Sequence, residues 1–235
     1  MNKIEVDVVI LGGGTSGVAA AIQAARAGVS VMVVEETKWL GGMLTSAAVS
    51  AIDGNYHLPS GIWGEFRQRL IDYYGDSEAL KTGWVSHVQF EPHIGQQLLA
   101  EMISEYSSIK TMFGYYLKKV TADDRKIVDI LISNETETVR VRAEIFIDAD
   151  EYGDLVKQSN CRYYSGRDSR EITGETNAPE IADGFIQDLT WVAILKDFGP
   201  GTDRIIPKPD NYKPEIYHGC HENLGSGMEA VQKML

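Results

Sequence analysis

The feature that most constrains this chain is an abrupt change of period near its start. Val6–Leu11 is a largely apolar, β-branched run of strand length, which fits a strand buried in a parallel sheet. Gly12–Gly14 stop it. From Thr15 to Ala27 the pattern turns helical with small residues on one face, and Gly28 follows as a natural C-cap. Val29–Val34 then forms a second apolar run ending at Glu35. A strand–helix–strand unit of about 30 residues is the size of a mononucleotide-binding half. It commits the chain to an α/β fold of Rossmann-like type, built on a parallel sheet.

Gly12, Gly14 and Gly17 spell G-x-G-x-x-G. The first permits a tight turn, the second lets backbone approach a pyrophosphate, and the third lets helix and strand pack closely. The helix start then offers free N–H groups and a positive dipole end to phosphates. Glu35, closing the second strand, is placed to accept hydrogen bonds from a ribose diol. A glycine-rich turn without a ligand is the alternative.

The small-residue spacing continues through Ala21, Ala24 and Gly28, and Glu35 is followed by Gly41-Gly42. This pattern resembles the FAD-binding fingerprint of the glutathione-reductase superfamily. GGMLTS, FEPHIGQQLLAEM and IFIDADEYGDL resemble the FAD-dependent oxidoreductase family of bacterial flavoproteins called xanthan-lyase-like. The resemblance runs from about Val6 to Gly174. It implies FAD as the cofactor, with contacts from Gly12, Gly14, Thr15, Ser16 and Gly17 at the first turn, and from Glu35 and Glu36 at the strand end. It further implies Gly41, Gly42 and Met43 in a loop folding back along the cofactor, Leu117 near the adenine, and Ala149 and Asp150 closing over the adenosine and pyrophosphate half. The family more often has Thr at Asp150. A simple nicotinamide-binding unit has no fixed need for Gly41-Gly42, whereas backbone pressed against FAD would need it. The bland alternative is a surface turn.

Further along, Ser60–Tyr74 reads as a helix capped by Ser60. Pro92 stands at the first position of a second helix with Ile94, Leu98, Met102, Ile103 and Tyr106 on one face. From Lys110 to Ala143, short segments punctuated by Asp123-Asp124 and Asn134-Glu135 read as a strand and then a β-meander. Glu144–Ala149 reads as a separate returning strand. The expected division is an FAD-binding domain over 1–160, with inserted helices within 60–106, and the start of a substrate domain over 161–235. Gln187–Lys196 reads as a strand of that second domain. The family's later return to the cofactor domain is not legible. The expectation is therefore a truncated form, or a flavin site completed by a second chain or a homo-oligomer.

Other classes fall away on composition. With 22 basic and 34 acidic residues, a net charge of −12 and no basic cluster, nucleic acid is not expected as a partner. Cys161 and Cys220 are too few for a disulfide scaffold. No apolar run reaches the roughly 18 residues of a membrane span, so no membrane partner and a cytoplasmic location are expected. Asp148, Asp150 and Gly153 mimic a calcium loop, but the twelfth position is Ser159 and the bidentate carboxylate is missing. His218-Gly-Cys-His221 lacks a partner cluster, so no metal is expected. Arg162 and Arg167 flank YYSG and are candidates for a substrate carboxylate, with plain surface charges as the alternative, and His57, downstream of the glycine pair, reads as a solvated loop histidine in preference to a substrate contact. No nucleophilic triad is legible, which leaves the catalytic residues unassigned and the flavin itself as reaction centre. The reading is an FAD-dependent oxidoreductase, or its FAD-binding portion, moving a hydride between a small organic substrate and flavin. A non-catalytic nucleotide-binding or interaction protein is the alternative, and a nicotinamide dehydrogenase a weaker one.

Overall fold

The computed structural model describes residues 2–82, 86–187, 192–194, 198–202, 207–213 and 215. Six strands form one sheet: β1 (Asn2–Leu11), β2 (Val31–Glu35), β3 (Ile109–Phe113), β4 (Tyr116–Asp123), β5 (Lys126–Ser133) and β6 (Thr138–Asp148). The helices are α1 (Thr15–Arg26), α2 (Gly61–Tyr74), α3 (Pro92–Ser104) and the short α4 (Asp154–Gln158) and α5 (Arg170–Thr173). The strand order is β3-β2-β1-β6-β5-β4. β1 runs parallel to both β2 and β6, and β2 is parallel to β3. β4, β5 and β6 are antiparallel neighbours.

The chain steps outward from β1 to β2 and β3, then returns to lay β6 on the other side of β1. A crevice therefore opens beyond the C-terminal ends of β1 and β6, where open α/β sheets bind their ligands. Glycine loop, Glu35 and Ala149–Asp150 all follow strand ends on that edge.

Strand alternation divides the core. Val8, Ile10, Val31 and Val33 face a cluster built with Val18 and Ile22 of α1, Phe66 and Leu70 of α2, and Ile94 and Leu98 of α3. Val9, Leu11, Met32 and Val34 face the opposite way, among Ile130, Ile132, Val139 and Val141 of the meander and Leu155 of α4. Burial on both faces explains why β1 and β2 read as nearly continuous apolar runs.

Two expectations are revised in detail. TVRVRA and the segment that begins at Glu144 form one strand, the 11-residue β6, which ends at Asp148, one residue short of the expected Ala149. Thr138–Val141 pairs with β5 on one edge, while Val139–Asp148 pairs with β1 on the other. No turn residue separates Ala143 from Glu144, so nothing breaks the strand. Ser60 does occupy the N-cap position of α2, in extended conformation, but its side chain makes no capping bond. Most of Gln187–Lys196, and all of His218–His221, lie outside the described residues, and the described Val192–Ile194 adopt no strand.

Candidate cofactor-binding site

The glycine loop is built by exclusion of side chains. Gly12 has φ +94°, and a Cβ there would overlap the Ala149 carbonyl. Only glycine allows the β1 turn to pass that close to the end of β6. A Cβ on Gly17 would overlap the Gly12 carbonyl, so α1 approaches β1 by virtue of a missing side chain. Gly14 differs. A Cβ there would meet only the Glu151 carboxylate at 3.5 Å and the Ala149 carbonyl at 3.9 Å. The protein leaves that space open, toward a groove. Gly14 is the N-cap of α1, and no side chain caps the helix. The first-turn N–H groups of Thr15, Ser16 and Gly17 thus face the crevice without side-chain partners, at the positive end of the helix dipole.

Glu35 is buried at the end of β2. One carboxylate oxygen accepts from Gly13 N–H at 2.7 Å, and the other accepts from Thr37 N–H at 2.7 Å. These bonds fix the side chain against the glycine loop. A carboxylate offers about four lone-pair sites, so acceptor capacity remains for a diol. The turn between β3 and β4 docks on the same strand end, with Gly114 N–H donating to the Thr37 carbonyl and Tyr115 N–H to the Glu35 carbonyl. That docking brings Leu117 to the wall of the cavity containing Gly12 and Glu35, which has a volume of about 310 Å³.

Gly41 and Gly42 close the arrangement. Gly41 N–H donates to the Gly13 carbonyl at 2.8 Å, and Gly41 pairs with Gly14 as an isolated parallel bridge. Gly41 has φ +107°, and a Cβ there would press on Thr45 and Leu99. This glycine is required by protein packing. Gly42, with φ +51°, faces the groove instead: a Cβ there would lie 2.7 Å from the Glu151 carboxylate and 3.0 Å from Gly14 Cα. The two glycine pairs are one composite turn made from distant parts of the chain.

A second cavity continues from the first. It is lined by Gly14, Thr15, Ser16, Ala51, Leu58 and Trp63, and shares Met43, Asp150 and Glu151 with its neighbour. All the residues singled out in the sequence for cofactor contact lie on these cavities except Gly17 and Gly41, which act through packing. The Asp150 carboxylate is turned into its own loop, accepting from Tyr152 N–H at 2.7 Å and Gly153 N–H at 2.5 Å. Asp148 likewise accepts from Val156 N–H at 2.9 Å. The aspartates that imitate a calcium loop thus hold the entry to α4.

Sequence reasoning missed Thr37, Ser46, Tyr115, Tyr116, Glu151 and Tyr152, which also line the first cavity. Thr37, Tyr116 and Glu151 adjoin residues already singled out, so proximity in sequence was a usable signal. Trp63 and Leu58 come from the long β2–β3 crossover, and nothing local marks them. Arg167 is committed elsewhere, paired with Asp183 and lying over the Phe185 ring at 4.9 Å. His57 stacks on Tyr56 at 4.0 Å, and His87 contacts the same ring at 4.4 Å.

The groove is strongly acidic. Glu35, Glu36, Asp53, Asp150, Glu151 and Asp154 line the two cavities, which have no Lys or Arg among their described lining residues. Burial pushes the Glu36 carboxyl above its usual range, and the charges of Asp154, Glu35, Asp150 and Glu151 push it further.

This geometry can be set beside known proteins. Residues 7–229 match the family described as FAD dependent oxidoreductase. The chain belongs to the FAD-dependent oxidoreductase family, and FAD is the cofactor of that family. A 75-residue stretch is 41% identical to digoxin reductase from Eggerthella lenta, covering 32% of this chain and 12% of that protein. Among solved structures, a geranylgeranyl bacteriochlorophyll reductase-like protein from Thermoplasma acidophilum is 15% identical with a TM-score of 0.49, over 68% of this chain and 43% of that one. The flavin-dependent monooxygenase PieE, solved with FAD and substrate, is 18% identical with a TM-score of 0.46, over 71% and 34%. The chain thus spans an eighth of the length of the reductase and under half of either structure.

Proposed function

We propose that this chain is the FAD-binding portion of an oxidoreductase that moves a hydride between a small organic substrate and flavin. The observation that carries the reading is the open space at Gly14, beside an uncapped helix start, in a family whose cofactor is FAD. Bound FAD would supply the hydride chemistry of its flavin ring. The chain's own groups bind and orient. The first-turn N–H groups of α1 would hold the diphosphate, and Glu35 would accept hydrogen bonds from the adenosine ribose. Leu117, Tyr115 and Tyr116 would wall the adenine end. Met43, Leu58 and Trp63 would shelter the opposite end from water.

Membership of the glutathione-reductase superfamily and the xanthan-lyase-like group is part of this proposal, supported by the continuous G-x-G-x-x-G…Glu…Gly-Gly pattern. So is the division at about residue 160, supported by where the buried core stops: the last buried apolar residue among those described is Leu155. A second chain or second copy completing the flavin half belongs to the same reading. No helix among the described residues is long and apolar enough to cross a membrane.

Gly14→Val tests the site directly. The variant should fold, because a Cβ at this position meets only the Glu151 carboxylate and the Ala149 carbonyl, both at ordinary contact distance. It should nonetheless lose FAD, since its methyl groups would fill the phosphate cradle. Flavin fluorescence titration with circular dichroism as the folding check decides it. Wild-type affinity in the folded variant would sink the assignment.

A further inference from the structure

The inference concerns Glu151 and rests on the proposed cofactor site. The same carboxylate oxygen, Glu151 Oε1, lies 3.5 Å from where a Cβ of Gly14 would be and 2.7 Å from where a Cβ of Gly42 would be. Those are the two positions whose missing side chains make the cradle. Glu151 also stands at the junction of the two cavities. An anionic oxygen therefore occupies the gap into which an anionic diphosphate would be drawn.

The neighbours of Glu151 show that its position is not fixed by bonding. Asp148 and Asp150 spend oxygens on N–H groups of their own loop. Glu151 is exposed, and its carboxylate accepts no hydrogen bond from a described residue. The charges facing it across the groove are Glu35, Glu36, Asp150 and Asp154, all of its own sign. What such a side chain can gain in this place is the positive end of α1 and the unpartnered N–H groups beside Gly14.

We propose that Glu151 is a specificity-determining gate in the cofactor groove, an internal carboxylate that competes with the diphosphate for the Gly14–Gly42 cradle and must swing out before a dinucleotide can seat. It taxes every phosphate-bearing ligand and leaves a ligand without phosphate untouched. FAD gains entry because its two ends engage both cavities while its diphosphate displaces the carboxylate. The gate thereby weakens FAD and ADP alike relative to adenosine, which carries no phosphate.

The test compares Glu151→Gln with wild type, using FAD, ADP and adenosine as probes in calorimetry or NMR titration. Glutamine keeps the size of the side chain and removes its charge. Dissociation constants for FAD and ADP should fall by about tenfold, the scale of one surface-screened like-charge repulsion at close range. Adenosine should bind with an unchanged constant. Asp154→Asn is the control, because it deletes one charge from the cavity wall without touching the cradle, and it should tighten FAD by less than about threefold. Equal FAD affinity in wild type and Glu151→Gln would overturn the gate. So would tightening of adenosine as strong as that of FAD, or an Asp154→Asn effect as large as that of Glu151→Gln. Both latter outcomes would mean a general change in the groove. Failure of wild type and every variant to bind FAD would sink the proposed function and the gate together, whereas FAD binding without the expected ratio sinks the gate alone.

Discussion

The residues up to about 160 and those that follow are built on different principles. In the first region the core is apolar and continuous on both faces of the sheet, and Val9, Ile10, Ile22 and Met32 are fully buried. Its key glycines are walled in by backbone, as at Gly12 and Gly17. In the second, Tyr164, Ile181, Phe185 and Ile186 are each at least 70% exposed. Gly174, Gly199 and Gly201 have nothing within 4 Å of a would-be Cβ, although Gly166 is packed against the Asp183 backbone. What order the second region shows rests on polar contacts, chiefly the Arg167–Asp183 pair and the short α5. The contrast teaches that the first region carries its own hydrophobic driving force, while the described part of the second is held by contacts that water weakens.

Paired substitutions can break or sharpen this contrast. The largest effect is expected at the glycines. Gly12→Val forces a side chain into the Ala149 carbonyl at a positive φ, and should cost on the order of 4 kcal/mol or prevent folding. Gly174→Ala, also at positive φ but with open space around it, should cost about 1 kcal/mol. Thermal and urea unfolding followed by circular dichroism measure both. Similar losses at the two sites would erase the distinction.

Next come the apolar side chains. Ile10→Ala leaves a cavity in a site with no solvent exposure and should cost about 3 kcal/mol. Phe185→Ala removes a ring that is 70% exposed and touched by Arg167, and should cost under about 1 kcal/mol. A large loss from Phe185→Ala would reveal a core in the second region after all.

The smallest effect belongs to the ion pairs. Asp129 on β5 is 2% exposed and bonded to Arg140 on β6 at 2.7 Å. Burial pushes its carboxyl up, but the Arg140 bond and the charges of Arg140 and Arg142 help to outweigh this, leaving it below its usual range. Because the folded-state value is depressed, the stabilisation is present above the unfolded value of about 3.9 and is lost as pH falls through the lower folded value. Arg140→Ala should cost about 2 kcal/mol near neutral pH and flatten that acid limb. Arg167→Ala, at an exposed pair, should cost under about 1 kcal/mol. Urea unfolding between pH 2 and pH 7 checks the sign, and an acid limb unchanged in Arg140→Ala would contradict it.

The sequence was readable where one local rule governed one short segment. β1, α1 and β2 follow from the switch between strand and helix periods, and Pro92 marks the start of α3. The reading failed where two rules overlapped. β6 looked like two strands because its first residues pair with the meander and its last only with β1, yet the backbone has no reason to stop between them.

By itself, then, the sequence determined an α/β nucleotide-binding unit, because glycine spacing and apolar periodicity act within a turn or a strand. It also singled out part of the groove's lining, including Gly12, Gly14, Glu35 and Gly42. Only the tertiary structure decided what each one does. Gly41 proves to serve packing against Gly13, Thr45 and Leu99, and Gly42 to face the groove, a difference their adjacency hides. Asp150 ties down its own loop while Glu151, one residue on, reaches the cradle. Trp63 joins the site from the β2–β3 crossover. Gly41 and Gly13 stand 28 residues apart in the chain, and Gly14 and Glu151 137 apart, and the direction of a side chain across such gaps is set by the packed sheet and helices, where no local pattern of residues can record it.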